Sequence, residues 1–339
     1  MLTSFVVVII LQKITKEIKM PGQDQRKGIT LFDLQRKFPT DEEARKWVAG
    51  IRWGDKVQCP KCSSENIQTD VAHKTMDYRC RSCRKWFSVR TGTIMENSRL
   101  PILHWVYAVY IQTSSLKGMA SMKLYRELGI TQKTAWFLSH RIRQAYQDSL
   151  GGLEIFVGPI EADETYMGGL EKNKHNKDKL KKGRGAVGKT AIVGVKDRET
   201  KKVKARVVID TSKLTLQGFI NENVDEDAKK YTDESTSYKG LTNHSTVNHS
   251  AKEFVDGMVH TNGIESFWSM LKRSHKGTFH KMSPKHLQRY VDEFVGRHNL
   301  RPFDTEDMMK MLFAQMSGKK LTYEDLIKSN GLNSGARGS

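Results

Sequence analysis

All four cysteines of this 339-residue chain fall into one constellation: Cys59-x2-Cys62, seventeen residues, then Cys80-x2-Cys83. That is the spacing at which two tight turns deliver four thiolates to one tetrahedral metal ion. Disulfide pairing is the competing use. A two-residue gap within each pair suits a metal-holding turn better, and no complete secretion signal precedes it. Zinc held by four thiolates keeps no open position for a substrate, so it is expected to hold a fold together. Any reaction belongs elsewhere in the chain.

The partners are constrained by charge. Lys and Arg number 57 against 38 Asp and Glu, a net charge of +19 that favours polyanions. No segment reaches the ~18–20 apolar residues that span a bilayer. The apolar start, Met1 to Leu11, lacks a basic flank before it and a small-residue cleavage site after it. Residues 1–29 are therefore read as an unassigned leader, with Met20 as the expected true start. A cytoplasmic, nucleoid-associated location without membrane contact follows from the same reading.

Residues 30–97 read as a helical lead-in and a small zinc ribbon. Thr40 with Glu43 three residues on has the form of a capping box. The second cysteine knuckle gathers Arg79, Arg81, Arg84, Lys85 and Arg90 around Tyr78, Trp86 and Phe87. Cations among aromatics fit phosphate contact and base stacking, and equally fit a ribbon whose aromatics form its own mini-core.

Residues 98–150 read as a helix-turn-helix-like domain. Ile102, Trp105, Val106 and Val109 repeat at helical spacing after Pro101, a second helix stops at Gly129, and Thr131 opens a third. The third helix carries Lys133, His140, Arg141, Arg143 and Gln144, with Ala135, Leu138 and Ile142 as its core side. A plain helical bundle is the alternative.

Strand patterns begin after Gly151-Gly152. Ile160 to Tyr166 alternates, with Glu161, Asp163 and Thr165 on one face and Ile160, Ala162 and Glu164 on the other. Strands follow at 190–195 and 202–209, the second with Val203, Ala205, Val207 and Ile209 on one side. A helix is expected around Leu214, Leu216, Phe219 and Ile220, a fourth strand before Tyr231 to Glu234, and a helix from Gly263 to Lys272 with Ile264, Phe267, Trp268 and Leu271 inward. This order predicts an α/β ribonuclease H-like domain with a mixed sheet over residues 155–310, and a tail over 311–339.

Gly183-x4-Gly188-Lys189-Thr190 spells a phosphate-loop pattern, but such a loop needs a buried strand before it and a helix after it. A lysine-dense approach and an apolar strand as exit supply neither, so no nucleotide cofactor is expected. Eight Lys/Arg against two acids between Glu171 and Lys189 fit a basic loop reaching for nucleic acid, or a solvated hairpin tip.

Among many acids, position singles out Asp163 in the first strand, Asp233 just past the fourth and Glu265 one turn into the late helix. In a ribonuclease H-like sheet these places converge, and three carboxylates there hold two Mg2+ or Mn2+ ions. Lys272 follows Glu265 by two helical turns and projects from the same face, placed to grip phosphate. Asn262, one turn before Glu265, also reaches that region, and Glu161 and Glu164 bracket Asp163.

The cysteine run with Tyr78-Arg-Cys80-Arg-Ser-Cys83-Arg-Lys-Trp-Phe-Ser-Val-Arg-Thr-Gly-Thr93, followed by Glu161-Ala-Asp-Glu-Thr-Tyr-Met-Gly-Gly169, resembles the zinc-ribbon-bearing DDE insertion-sequence transposases, bacterial relatives of Merlin elements. His260-Thr-Asn-Gly-Ile-Glu-Ser-Phe-Trp-Ser-Met-Leu-Lys-Arg273 and the run from His286 to Asn299 extend the likeness across roughly residues 30–330. The resemblance implies a DNA transposase that binds the terminal inverted repeats of its element and performs metal-dependent 3′ strand cleavage and strand transfer. It implies Asp163, Asp233 and Glu265 as catalytic acids, with Asn262 as the alternative third residue because some members carry Asn there. It also implies that Glu293 and Arg297, four apart in a late helix, pair. Lys272, Arg273, Arg141, Arg143 and Lys189 are the expected contacts to double-stranded DNA, and synapsis of two ends implies a homo-oligomer. A zinc-ribbon and helix-turn-helix regulator with an idle catalytic domain is the rival function; a general nuclease is a third.

Overall fold

The computed structural model describes residues 28–69, 71–73, 75–147, 154–169, 179–180, 186–247 and 260–334. It forms two compact units: the chain through Tyr146 together with Leu300–Lys328, and Gln147–Asn299 with Ser329–Ser339. The apolar leader, Met20 and most of the basic stretch before Lys189 lie outside the described residues. Among the described residues no helix is long and apolar enough to cross a membrane.

The first unit opens with helices α1 (Leu31–Lys37) and α2 (Asp41–Trp53). Thr30 and Asp33 make a reciprocal capping box on α1. At Thr40 only half of the expected box forms: its hydroxyl accepts from the Glu43 N–H at 3.3 Å, while the Glu43 carboxylate turns outward to Lys46. Three short antiparallel strands follow, β1 (Ile67–Gln68), β2 (Tyr78–Cys80) and β3 (Trp86–Phe87).

Helices α3 (Ile102–Ser114), α4 (Ser121–Leu128) and α5 (Gln132–Tyr146) end and begin where glycine and threonine dictate. Gly129 closes α4 in the left-handed region (φ 61°), and the Thr131 hydroxyl accepts from the Thr134 N–H at 3.2 Å. Ala135, Leu138 and Ile142 are buried as expected. Asp41 joins two helices by accepting from the Leu103 N–H at 2.8 Å, a carboxylate at the orphan amides of α3.

The second unit is a five-stranded mixed sheet in the order β6-β5-β4-β7-β8. Its strands are β4 (Ile160–Met167), β5 (Thr190–Asp197), β6 (Val203–Val208), β7 (Lys230–Asp233) and β8 (His244–Val247). β4, β5 and β6 pair antiparallel, while β7 runs parallel to both β4 and β8. Helix α6 (Lys213–Asn223) covers one face through Leu216, Phe219 and Ile220, packed on Ile160, Ala162, Val193 and Val195. Helices α7 (Asn262–Ser274) and α8 (Leu287–Leu300) supply Ile264, Phe267, Trp268, Leu271, Val291 and Phe294 to the other face.

Several expectations need correction here. Leu214 and Ile209 are exposed, because α6 turns its first apolar side chain outward and β6 ends at Val208. Asp233 is the last residue of β7 rather than a residue past it. The expected fourth strand is followed by a fifth, β8, whose His-Ser-Thr-Val sequence carries no apolar alternation.

Residues expected as the end of the catalytic domain and a tail form α9 (Thr305–Gln315) and α10 (Tyr323–Ile327), which belong to the first unit. Met308, Met309, Met311, Leu312 and Phe313 are buried, Phe313 meeting Trp47 edge-on at 5.5 Å. Ile94 and Gly318 add backbone bonds to Met316 and Gly92. A methionine-rich stripe of this kind needs a core to enter, and α2 and α3 provide it.

In β5, Gly194 gives α7 its close approach. A Cβ there would stand 2.7 Å from the Trp268 ring. Gly194→Ala is expected to lower stability by about 1–3 kcal/mol through overpacking, seen as a fall in melting temperature; a variant melting with the parent would show that the ring has room to move.

Candidate metal centre and carboxylate site

The ribbon builds its thiolate cluster from two similar knuckles. Each cysteine pair is followed by a residue at positive φ, Ser63 at 57° and Arg84 at 60°, which turns the chain back. The four sulfur atoms all lie within 4.8 Å of one another, with Cys59–Cys83 and Cys62–Cys80 at 3.6 Å. Zn–S bonds of ~2.3 Å in a tetrahedron place sulfurs about 3.8 Å apart, so the donor set fits a zinc ion. The Cys83 N–H points at Cys80 Sγ at 3.5 Å, and backbone donation holds that thiol down at about 6, toward the thiolate that zinc requires.

The aromatics around the cluster divide by face. Tyr78 stacks on Phe87 at 5.3 Å and Trp53 meets both edge-on, which makes them the mini-core of the ribbon. Trp86 is 41% exposed, with the Arg79 guanidinium 5.3 Å from its ring and His73 at 5.1 Å. Arg90 is taken up internally, donating to the Leu100 carbonyl at 2.7 Å.

Arg141 and Arg143, expected at a DNA surface, are buried at 6% and 2% exposure. Arg141 lies between the Trp105 and Phe137 rings and donates to the Glu96 carbonyl, so its stem and charge serve the helical core. The second half of α5 is buried almost all round, and its exposed cation is Lys133 near the N-terminus. By contrast Lys272 and Arg273 on α7 are exposed, and Lys189 at the entry to β5 is half-buried. The phosphate-loop look-alike leads into strand β5 and so lacks the helix that such a loop needs.

In the second unit, Asp163 and Asp233 lie on neighbouring strands, with Glu265 on a helix over the sheet. Parallel pairing sets Ile160 opposite Lys230 and Glu161 opposite Tyr231. The pairing ends there; Asp163 lies two residues further along β4 and Asp233 two residues further along β7, and the charge of Asp233 is felt at Asp163. Asp163 pairs across β5 with Gly194, the residue on which Trp268 of α7 rests, so its face is the α7 face. Glu265 is in the first turn of that helix and accepts from the Thr261 hydroxyl at 2.9 Å.

Asp163 shows the electrostatic result. Burial first, then the charges of Glu164, Asp233 and Glu265, push its carboxyl up to about 7. A desolvated acid facing further carboxylates is the donor set of a hard divalent cation. Among the described residues only the four cysteines close within 4.8 Å of one another; the carboxylates stand further apart while still raising Asp163.

The neighbouring acids have other tasks. Glu161 is 2% exposed and accepts from Ile264 N and Arg198 Nε, both at 2.9 Å. Glu164, across the strand, accepts from the Tyr238 hydroxyl at 2.6 Å. Sequence reasoning passed over these two as brackets of Asp163; the signal for them lay in the alternation, which put them on opposite faces. Glu293 and Arg297 stand 3.5 Å apart in α8.

Residues 155–299 match the ISXO2-like transposase domain and residues 39–86 the transposase zinc-ribbon domain. An uncharacterized protein in transposable element ISH50 of Halobacterium salinarum is 27% identical over 282 residues, which is 78% of this chain and 93% of that relative. No solved structure gives a significant match. The chain thus carries a transposase zinc-ribbon domain followed by an ISXO2-like DDE transposase domain, and is a distant relative of the ISH50 protein.

Two outcomes are expected. Cys80→Ser, or chelation of zinc, unfolds the ribbon, because structural zinc contributes about 10–16 kcal/mol in small finger peptides; a zinc-free protein with unchanged melting would count against the centre. Asp163→Asn stabilises the protein in buffer free of magnesium and manganese. The penalty for ionising Asp163 is absent below its ordinary value of 3.8, grows as pH rises, and is complete above about 7. The gain, on the order of a few kcal/mol, therefore appears as a higher melting temperature at pH 8 and little change at pH 4; equal melting at both would contradict the electrostatic reading.

Proposed function

We propose that the protein binds the terminal inverted repeats of its insertion sequence, cleaves the 3′ strand at each end and joins that strand to target DNA. The observation that supports this reading is the parallel pairing of β4 with β7, whose register, carried on two residues, would set Asp163 beside Asp233 on the face covered by the helix of Glu265. On this reading the second unit is a ribonuclease H-like domain. The ribbon and α3–α5 supply end recognition, with a helix-turn-helix-like arrangement at α4 and α5.

Asp163, Asp233 and Glu265 would hold the divalent ions, magnesium or manganese. When bound, these supply positive charge to the attacking and leaving oxygens of an in-line phosphoryl transfer. Glu265 is favoured over Asn262 because an anionic carboxylate is a better ligand than a neutral amide for a hard cation. The chain's own part is to orient the scissile phosphate, with exposed Lys272 and Arg273 on the helix of Glu265 placed to grip its neighbours. In the first transfer, water attacks the phosphorus and the bond to the 3′ oxygen breaks. In the second, that 3′ hydroxyl attacks a phosphodiester of the target and displaces its own 3′ oxygen. Neither step forms a covalent bond to the protein.

Trp86 with Arg79 on the ribbon, and Lys133 at the start of α5, fit DNA contact, and Lys189 fits contact to backbone phosphate. Synapsis of two ends calls for at least two copies of the chain. The test is Asp233→Asn assayed on DNA carrying the element ends. End binding is expected to stay within about threefold, while magnesium-dependent cleavage falls by at least the ~100-fold typical of losing one metal-site partner. Cleavage at the parent rate would remove Asp233 from the mechanism; cutting of DNA without regard to the ends would point to a general nuclease.

A further inference from the structure

The acidic motif on β4 carries three carboxylates, and the proposed chemistry uses only Asp163. The other two lie on opposite faces of the strand, and each holds the element that brings one of the remaining acids.

On the α7 face, the Glu161 carboxylate occupies the start of α7. Oε2 accepts from the Ile264 N–H at 2.9 Å, and Oε1 accepts from Arg198 Nε at 2.9 Å, with His260 Nδ1 at 3.3 Å. Lys196 Nζ donates to the Gly263 carbonyl at 2.9 Å in the same turn. Gly263 makes this approach possible, since a Cβ there would sit 2.6 Å from Glu161 Oε2. The turn bearing Glu265 is thereby pinned to the strand two residues from Asp163.

On the α6 face, Glu164 Oε2 accepts from the buried Tyr238 hydroxyl at 2.6 Å. Tyr238 ends the short 3-10 turn Thr236–Tyr238 that follows β7, and between them Ser235 N–H donates to Asp233 Oδ1 at 3.1 Å. The segment leaving Asp233 is thus tied to the residue next to Asp163.

We propose that Glu161 and Glu164 are positioning residues that fix Glu265 and Asp233 to the strand of Asp163, so that the cation site is set before any cation arrives, and that neither is itself a ligand. This rests on the reading of Asp163, Asp233 and Glu265 as the cation-holding acids. Three carboxylates facing one another drive their elements apart in the absence of a cation, and anchors on both faces of one strand oppose that. Arg198 pairs with Glu161, and Tyr238 takes an acceptor oxygen of Glu164, so each already has a partner within the protein. Partners that orient ligands in this way are worth about 10–100-fold in metal affinity.

The test is Mn2+ binding to the full-length, zinc-loaded protein, followed calorimetrically and by the electron-spin signal of free Mn2+. Asp163→Asn and Asp233→Asn come first and are expected to remove binding at the site; unchanged binding would defeat the ligand assignment itself, independently of the anchors. Given that loss, Tyr238→Phe and Glu161→Ala are expected to weaken Mn2+ binding about 10–100-fold. Tyr238→Phe deletes one oxygen and is expected to melt within a few degrees of the parent in metal-free buffer. Glu164→Gln keeps an acceptor for the Tyr238 hydroxyl and is expected to bind Mn2+ within about threefold of the parent. Parent-like affinity in Tyr238→Phe, an affinity loss that follows melting temperature alone, or a Glu164→Gln loss as complete as that of Asp163→Asn each overturns the proposal.

Discussion

The parallel pairing of β4 with β7 is the contact on which the rest of the second unit depends. Antiparallel neighbours arise from short connections, whereas a parallel pair requires the chain to travel out and return. Here β5, β6 and α6 make that excursion, and its result is that two strands carrying acids seventy positions apart become neighbours. A slip of one residue in the pairing would send Asp233 to the α6 face, since strand side chains alternate. The buried Lys230 at the opposite end of β7, donating to the carbonyls of Asp225, Glu226 and Ala228, resists such a slip.

The two metal-directed sites differ in how they are built. In the ribbon, thiolates sit at near-coordinating separation, and a backbone amide already favours the charged form of Cys80. In the sheet, burial first and then the neighbouring carboxylates keep a proton on Asp163 up to about neutral pH. The first arrangement suits an ion that stays for the life of the protein. On the proposed function, the second would suit ions that share their coordination with substrate phosphate and exchange between turnovers.

Much of this could be read from the chain because local signals agreed with the fold. Four cysteines at fixed spacing, Gly129 and Thr131 between two helices, and the inward stripe Ile264, Phe267, Trp268 and Leu271 each carry their structure within a few residues. What escaped reading was decided at long range. β8 is polar and takes its strand form from pairing with β7. Arg141 and Arg143 have the composition of a DNA-reading surface, yet neighbours far along the chain bury them. The methionines of α9 look like a tail until the core they enter is known. The three acids were placed on elements, and their shared face followed from alternation, while their spacing depended on a register that no stretch of sequence states.

The return of α9 to the first unit has a consequence for synthesis. The helices that open the chain emerge from the ribosome early, yet the apolar surface that receives Met308 to Phe313 waits for more than 150 further residues. At about 5–20 residues per second that is a delay on the order of ten seconds or more, during which the early helices are unfinished and open to chaperones. A prematurely stopped message leaves the same gap permanently.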